Sequence, residues 1–491
     1  MTVVIAVDAG TTSVRALAVD EAGRPVAQRS RELTQHYPRP GWVEHDPDEI
    51  WAACVSVLAG VVTDLDGRAV AALGITNQRE TVVAWDRRTG RPLHRAIVWQ
   101  DRRGAARCEE LDAAGLLPLV RERTGLVLDP YFSATKLEWL LREGGVEAGP
   151  DLAVGTVDSW LVWRLSGGAA HVTDPSNASR TMLYDIRAGA WDPSLCEVFS
   201  VPASALAAVG PSSGRVAVTA AGTTALGAGV AIAGIVGDQQ AALLGQACTE
   251  PGEAKNTYGT GSFVLMNVGT SCPDPVDGLL TTVAWRLDGT TTYALEGAIF
   301  VTGAAIQWLR DELGVIAHAS EVGPLAASVA DTGGVVVVPA FAGLGSPWWD
   351  ARARGTVVGL TRGSNRAHLA RAVVESIAYS TRDVVDAMVR GSGRALSVLR
   401  VDGGASVMDL LLSLQADQLG VTVVRAAATE TTALGAAYAA GIGAGVWSVA
   451  DVRASWRADR TFEPTGDRAP ADAAYARWLR AVARSRAWAD D

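Results

Sequence analysis

The chain has no pair of cysteines placed to suggest a disulfide framework. Its five, Cys54, Cys108, Cys196, Cys248 and Cys272, are far apart, none forms a CxxC pair, and the count is odd. Histidine is scarce, six in 491 residues, and no HExxH spacing occurs, which excludes a zinc-peptidase or structural zinc site. No Lys/Arg block stands out against a net charge of −10, so nothing attracts a nucleic-acid backbone. The P-loop pattern GxxxxGK[ST] is missing, so any nucleotide must be held another way. The start lacks a basic segment and its apolar run is interrupted by Asp8, which argues against a signal peptide. One uncharged run, 216–237, has the length of a membrane helix. It is dominated by Gly, Ala and Thr, so the expectation is a buried loop and strand, no membrane insertion and a cytoplasmic location.

What is present is a long chain, 48% apolar and 20% charged, which packs as a globular protein and exceeds one ordinary core. Sixteen tryptophans point first to packing. Strand-like and helix-like stretches alternate, which predicts an α/β fold. Residues 69–76 and 81–86 read as strands and 86–92 as a turn. Over 366–389, Leu369, Val373, Ile377, Val384 and Met388 fall on one helical face. The opening strand, DAGTTS turn and second strand are echoed at 255–268, KNTYGTGSFVLMNV. Two such hairpins predict two similar domains facing each other, 1–248 and 249–491.

The hairpin turns carry the first chemistry. A tight Gly-Thr-Thr turn exposes backbone N–H groups and hydroxyls, which together form an anion-binding nest. Asp8 at its lip is placed to hold Mg²⁺, usually through water. Arg15 adds positive charge. An ordinary β-hairpin explains DAGTTS alone nearly as well. A second turn with Gly259, Thr260 and Gly261 favours a pair of phosphate-binding hairpins across a cleft. VDGGAS at 401–406 adds Gly403 and Gly404, where a flat base can approach the backbone. This trio resembles the superfamily of actin, hexokinase and heat-shock-chaperone ATPases, which holds enzymes, filaments and chaperones alike.

A kinase also needs a base for the acceptor hydroxyl. In GIVGDQQAALLGQ, Asp238 ends a strand and opens a helix, so it is either that base or a helix N-cap, and the two roles are compatible. Arg79 and Glu80 are adjacent, opposite charges between strands, either a surface pair or partners for a polyhydroxylated substrate. Trp99 precedes a charged cluster, and Tyr131 and Phe132 precede a helix, where packing or a hydrophobic staple is the plain alternative.

Taken together, NQRET (77–81), WQDRR (99–103), DPYFSATKLEWLL (129–141), TDPSNASRTMLYDI (173–186), GDQQAAL (237–243), KNTYGTGSF (255–263), YALEGAIFVTGAAIQWLRD (293–311), PAFAGLGSPWWD (339–350), VDGGA and TALGAAYAAG (432–441) resemble the FGGY carbohydrate kinases, and among them those acting on glycerol. The resemblance implies two ribonuclease-H-like, actin-type domains flanking a catalytic cleft. The first domain carries the acceptor site and catalytic Asp238, the second the adenosine site. It implies that Arg79, Glu80, Tyr131, Asp238 and Gln239 bind the glycerol hydroxyls while Trp99 and Phe263 clamp its carbon edge. Asp8 becomes the acid linked to Mg²⁺. Thr11, Thr12, Ser13 and Arg15 serve the phosphates of ATP, and Thr260, Gly303, Gln307, Gly404 and Met408 the ADP side. A homodimer or homotetramer is usual for such relatives.

Two positions depart from the pattern. Ala9 stands where those kinases usually carry Gln, and Met408 where they carry Asn, which predicts an altered nucleotide affinity with activity retained. Some of these kinases bind fructose bisphosphate through an arginine loop ahead of GDQQ, or are phosphorylated there on a histidine. Residues 216–237 contain neither Arg nor His, so neither control is expected. Kinases for erythritol, xylulose or gluconate are the alternatives within the family, and a chaperone-like ATPase without an acceptor base is the alternative outside it.

Overall fold

The first strand, Thr2–Ala9, is apolar at nearly every position, as a strand buried on both faces must be. A computed structural model describes residues 2–489 and places this strand near the middle of a six-stranded sheet. It pairs antiparallel with Ser13–Asp20 and parallel with Ala69–Asn77, with Asp8 opposite Arg15 across the hairpin. Ala231–Gly237 continues the parallel run, and Ser213–Val218 and Pro25–Glu32 form the edges.

A seven-stranded sheet repeats this plan. Glu253–Tyr258 pairs antiparallel with Ser262–Gly269 and parallel with Val398–Gly403, which is followed by parallel Val423–Ala426 and antiparallel Ala458–Phe462. Thr290–Ile299 pairs antiparallel with Ser262–Gly269 as Pro25–Glu32 does with Ser13–Asp20, so the internal echo seen in sequence at one hairpin extends over six strands of each sheet. The stretch 216–237 is the edge strand, a loop and an inner strand. Among the described residues, no helix is long and apolar enough to cross a membrane.

The helix predicted at 366–389 runs Arg366–Ser392. Asn365 and His368 close a capping box at its start, and Gly393 ends it at φ 65°. A smaller four-stranded sheet of Glu44–His45, Ala96–Ile97, Val82–Asp86 and Leu152–Thr156 lies beside the first sheet and leads into the segments carrying Trp99 and Tyr131.

Two spine helices join the halves. Asp238–Gly245 follows directly from the first sheet. Thr431–Gly443 comes from the second half of the chain, yet packs on the first sheet, with Ala433, Ala436, Ala437 and Ala440 in one core with Val4, Ala6 and Leu17. Their backbones touch because Gly245 and Gly435 have no Cβ: one on Gly435 would overlap the Ala241 carbonyl, and one on Gly245 the Thr431 carbonyl. Asp402 ties the pair to the second sheet, accepting from Gln246 Nε2 at 2.9 Å and from the Thr431 hydroxyl. Gly435→Ala is expected to lower stability by about 1–3 kcal/mol through overpacking. A denaturant midpoint equal to wild type would show that the two helices separate freely.

Candidate functional site

The second hairpin turn lines a cleft, and the first is tied to the wall of the same cleft through Trp99. In the first, Gly10 N–H donates to Ser13 O at 3.0 Å, leaving Thr12 exposed. In the second, Gly259 N–H donates to Gly261 O at 2.8 Å. The carbonyls of Gly259 and Thr260 accept from the backbone of Gly303 and Ala304, so this turn is seated on the first residues of the helix Gly303–Asp311. The approach requires glycine, since a Cβ on Gly303 would lie 2.7 Å from the Gly259 carbonyl.

Gly259 and Thr260 line two cavities. One, of about 670 Å³, is bounded by Gly303, Gln307, Gly404 and Met408, the residues expected on the adenosine side. Gly403 shapes its floor at φ 88°, where a Cβ would collide with the Tyr258 backbone. The second, of about 650 Å³, is lined by Trp99, Tyr131, Gln239 and Phe263, with Phe300 and Trp349 added from the second half of the chain. Trp99 and Tyr131 meet edge to face at 5.5 Å, and the Trp99 indole donates to Thr11 Oγ1 at 2.9 Å. That bond couples the first hairpin turn to the wall of this cavity, and the Thr11 hydroxyl keeps its own proton to donate.

Asp238 is not the helix cap. Gly237 occupies that position and Asp238 is the first helical residue, its carboxylate accepting from Gln239 N–H at 2.7 Å. Its side chain is part-exposed, with the Arg79 guanidinium 3.0 Å from Oδ1, and the next residue, Gln239, lines the second cavity. Burial raises the Asp238 pKa, and Arg79 and Lys255 offset part of the rise. Asp8, at the lip of the first turn, is pushed up to about 7 by burial and by the charge of Asp238, while Arg15 pulls it down. Arg15 is held by an ion pair with Glu430 at the start of the spine helix.

Arg79 and Glu80 are both buried, in a four-charge network that also holds Arg180 and Glu296, and Arg79 reaches both Tyr131 and Asp238. Arg79 donates to Glu296 at 2.6 Å, to Gln240 Oε1 at 3.1 Å and to the Tyr131 hydroxyl at 3.4 Å. Glu80 sits at φ 62° and accepts from Arg180 Nε at 2.7 Å. Sequence reasoning gave no role to Glu296, Arg180 or Gln240. The available signal was a lone carboxylate in an apolar strand, YALEGAI, because a charge there must find a partner.

Asp8 and Asp238 are two carboxylates coupled across the cleft floor, with their nearest cations already engaged by Glu430 and Glu296. Among the described residues, no group of three or more His, Cys, Asp or Glu forms a cage for an ion. This donor set fits Mg²⁺ held mainly by water and phosphate oxygens, which is its usual mode beside a nucleotide.

Residues 3–245 match the FGGY family of carbohydrate kinases, N-terminal domain, and residues 254–444 its C-terminal domain. The chain is 54% identical to the glycerol kinase of Dechloromonas aromatica, with 99% of this chain and 98% of that one covered. It is 55% identical to that of Aromatoleum aromaticum, with 99% of each covered. Its fold superimposes on the crystal structure of Plasmodium falciparum glycerol kinase with ADP at a TM-score of 0.95 and 33% identity, covering 99% of this chain and 98% of that one. The xylulose kinase from Lactobacillus acidophilus shares the fold at a TM-score of 0.89 and 21% identity, with 99% of both chains covered.

Proposed function

The chain belongs to the FGGY family of carbohydrate kinases, and from that premise we propose that it transfers the γ-phosphoryl group of ATP to glycerol, giving sn-glycerol 3-phosphate. The observation that carries this reading is that one Gly-Thr turn, Gly259 and Thr260, lines two cavities, one of which is also lined by Gln239, the residue after Asp238. ATP occupies the side bounded by Thr260, Gly303, Gln307, Gly404 and Met408. Glycerol occupies the side where Trp99 and Phe263 offer an apolar face and Tyr131, Asp238 and Gln239 a polar one. A three-carbon triol has one hydrocarbon edge and one hydroxyl edge, and this cavity supplies a wall for each.

Asp238 takes the proton from the attacking hydroxyl. Burial makes its carboxylate a stronger base than an exposed Asp, and Arg79 fixes its direction. Arg79 and Glu80, buried beside Tyr131 and Asp238, complete the set of partners for the glycerol hydroxyls. The backbone N–H groups and hydroxyls of the two turns, with Arg15, hold the phosphate oxygens in line with the acceptor. Mg²⁺, carried by the nucleotide and tied to Asp8 through water, supplies charge neutralisation when bound. Closure of the two domains, divided at 248/249 and joined by the spine helices, excludes water and limits wasteful hydrolysis. The same kinship is the ground for a cytoplasmic location and a homodimer or homotetramer, which sedimentation measures.

The test is ADP release with Mg·ATP and no acceptor, glycerol, erythritol, xylulose, ribulose or gluconate. Fast turnover with glycerol alone is the expected result, and a larger acceptor outrunning it would overturn the substrate assignment. Met408→Asn is expected to change KM for ATP several-fold and leave KM for glycerol alone. Equal shifts in both constants would remove Met408 from the nucleotide side. With neither Arg nor His in 216–237, fructose 1,6-bisphosphate is expected to leave the initial rate unchanged. Saturable inhibition by it would show a control site elsewhere.

A further inference from the structure

Of the 43 lysines and arginines in this chain, only Lys136 and Lys255 are lysine. Both are fully buried, and both stand directly behind the acceptor cavity. Lys136, on the helix Ser133–Arg142, turns back on the segment that precedes its own helix. Its Nζ donates to the carbonyls of Pro130 at 2.6 Å, Tyr131 at 2.7 Å and Phe132 at 2.9 Å. Lys255, on the strand leading to the second phosphate turn, donates to Gln239 Oε1 at 2.5 Å and Thr257 Oγ1 at 3.1 Å. Tyr131, Phe132, Gln239 and Thr257 all line the cavity.

The choice of lysine has a geometric reason. An ammonium group is compact and its three donors can converge on several oxygens of one turn, whereas a guanidinium is a flat fork suited to a carboxylate. The buried guanidiniums of Arg79 and Arg180 do grip carboxylates. Among the described residues, neither lysine has a carboxylate oxygen within 4.0 Å of it; each grips neutral oxygens instead. Burial pulls both ammonium groups down to about 8, against the more distant charges of Glu80 and Asp101 around Lys136 and of Asp402 and Asp238 around Lys255.

We propose that Lys136 and Lys255 are positioning residues of the acceptor site, Lys136 fixing the Tyr131–Phe132 wall and Lys255 aiming the Gln239 carboxamide and Thr257 hydroxyl. The proposal rests on reading this cavity as the glycerol site. It also gives each half of the chain one brace, since Lys136 precedes and Lys255 follows the spine helix that begins at Asp238.

With two lysines, the full-length protein labelled with ¹⁵N at lysine Nζ has only two lysine ammonium signals to assign. Glycerol added without nucleotide is expected to shift both with one common midpoint. Lys136→Met and Lys255→Met are each expected to raise KM for glycerol by about tenfold or more, with KM for ATP held within about twofold. A purely structural role would lower the unfolding midpoint and leave that ratio alone. Signals unmoved by glycerol, in a wild-type sample that phosphorylates glycerol, overturn the proposal even if both variants fail to fold. Folded variants with wild-type KM for glycerol overturn it too. A wild-type sample that does not phosphorylate glycerol at all indicts the substrate assignment instead.

Discussion

Asp238→Asn is expected to lower kcat by roughly 10²–10⁴-fold, the usual worth of a positioned general base, while ATP and ADP bind as they do to wild type. The carboxamide keeps the size of the carboxylate and can still accept from Gln239 N–H. It cannot take a proton, and it presents no charge to Arg79, whose Nε lies 3.0 Å from Oδ1 in the native site. Arg79 retains Glu296 and Gln240 as partners, so the fold is expected to survive. The nucleotide cavity is formed by Gly303, Gln307, Gly404 and Met408, none of which touches this change. Fluorescence or calorimetric titration with ADP, alongside single-turnover phosphoryl transfer, separates the two effects. Near-normal turnover would remove Asp238 as the base. Loss of ADP binding would show that the two cavities are coupled more tightly than their shared turn requires.

The elements that were legible in sequence share one property: their chemistry is local. A lone acid at the end of an apolar strand, followed by Gly-Thr-Thr, marks a strand end and a turn within a dozen residues. The turn at Gly259 repeats that signal, and VDGG announces the close approach that the positive φ of Gly403 makes possible. Asp238 was legible as a strand-to-helix junction, although the cap itself is Gly237. What sequence could not give is held over distance. The partner of Arg79 in the buried network is Glu296, 217 residues away, and no spacing rule links them. The sequence of the helix Thr431–Gly443 is built almost wholly from Ala, Gly and Thr. Without a polar face there is no period to read, so its passage to the first sheet was hidden until the glycines at 245 and 435 were seen in contact. Arg79 and Glu80 were legible as a charged pair, but not the buried network with Arg180 and Glu296 that holds them.

That network carries the second large effect. Glu296→Gln is expected to lower stability by about 3–5 kcal/mol and to raise KM for glycerol sharply, because it breaks a fully buried ion network by removing one partner. Glu296 is the hub: its Oε2 accepts from Arg79 at 2.6 Å and its Oε1 from Arg180 at 2.8 Å. The two guanidiniums hold its pKa down to about 2, against a burial penalty acting the other way. Removing one carboxylate leaves this buried cluster, in which Arg79 also faces Asp238, one charge more positive than the native one. Arg180 lies over the rings of Tyr131 and Phe132, at 5.7 Å and 5.2 Å, so its displacement reaches the cavity wall directly. Glu296 belongs to the second sheet and both arginines to the first half of the chain, which makes the network a tie between halves as well as a floor for the pocket. Arg180→Met in the same chain distinguishes charge balance from lost contacts. If charge balance dominates, the double variant regains much of the stability lost in Glu296→Gln, since one cation and one carboxylate have then been removed and the cluster has its native net charge. If stability losses simply add, the hub acts through its individual hydrogen bonds, and the cancellation of charge is incidental to how this pocket is built.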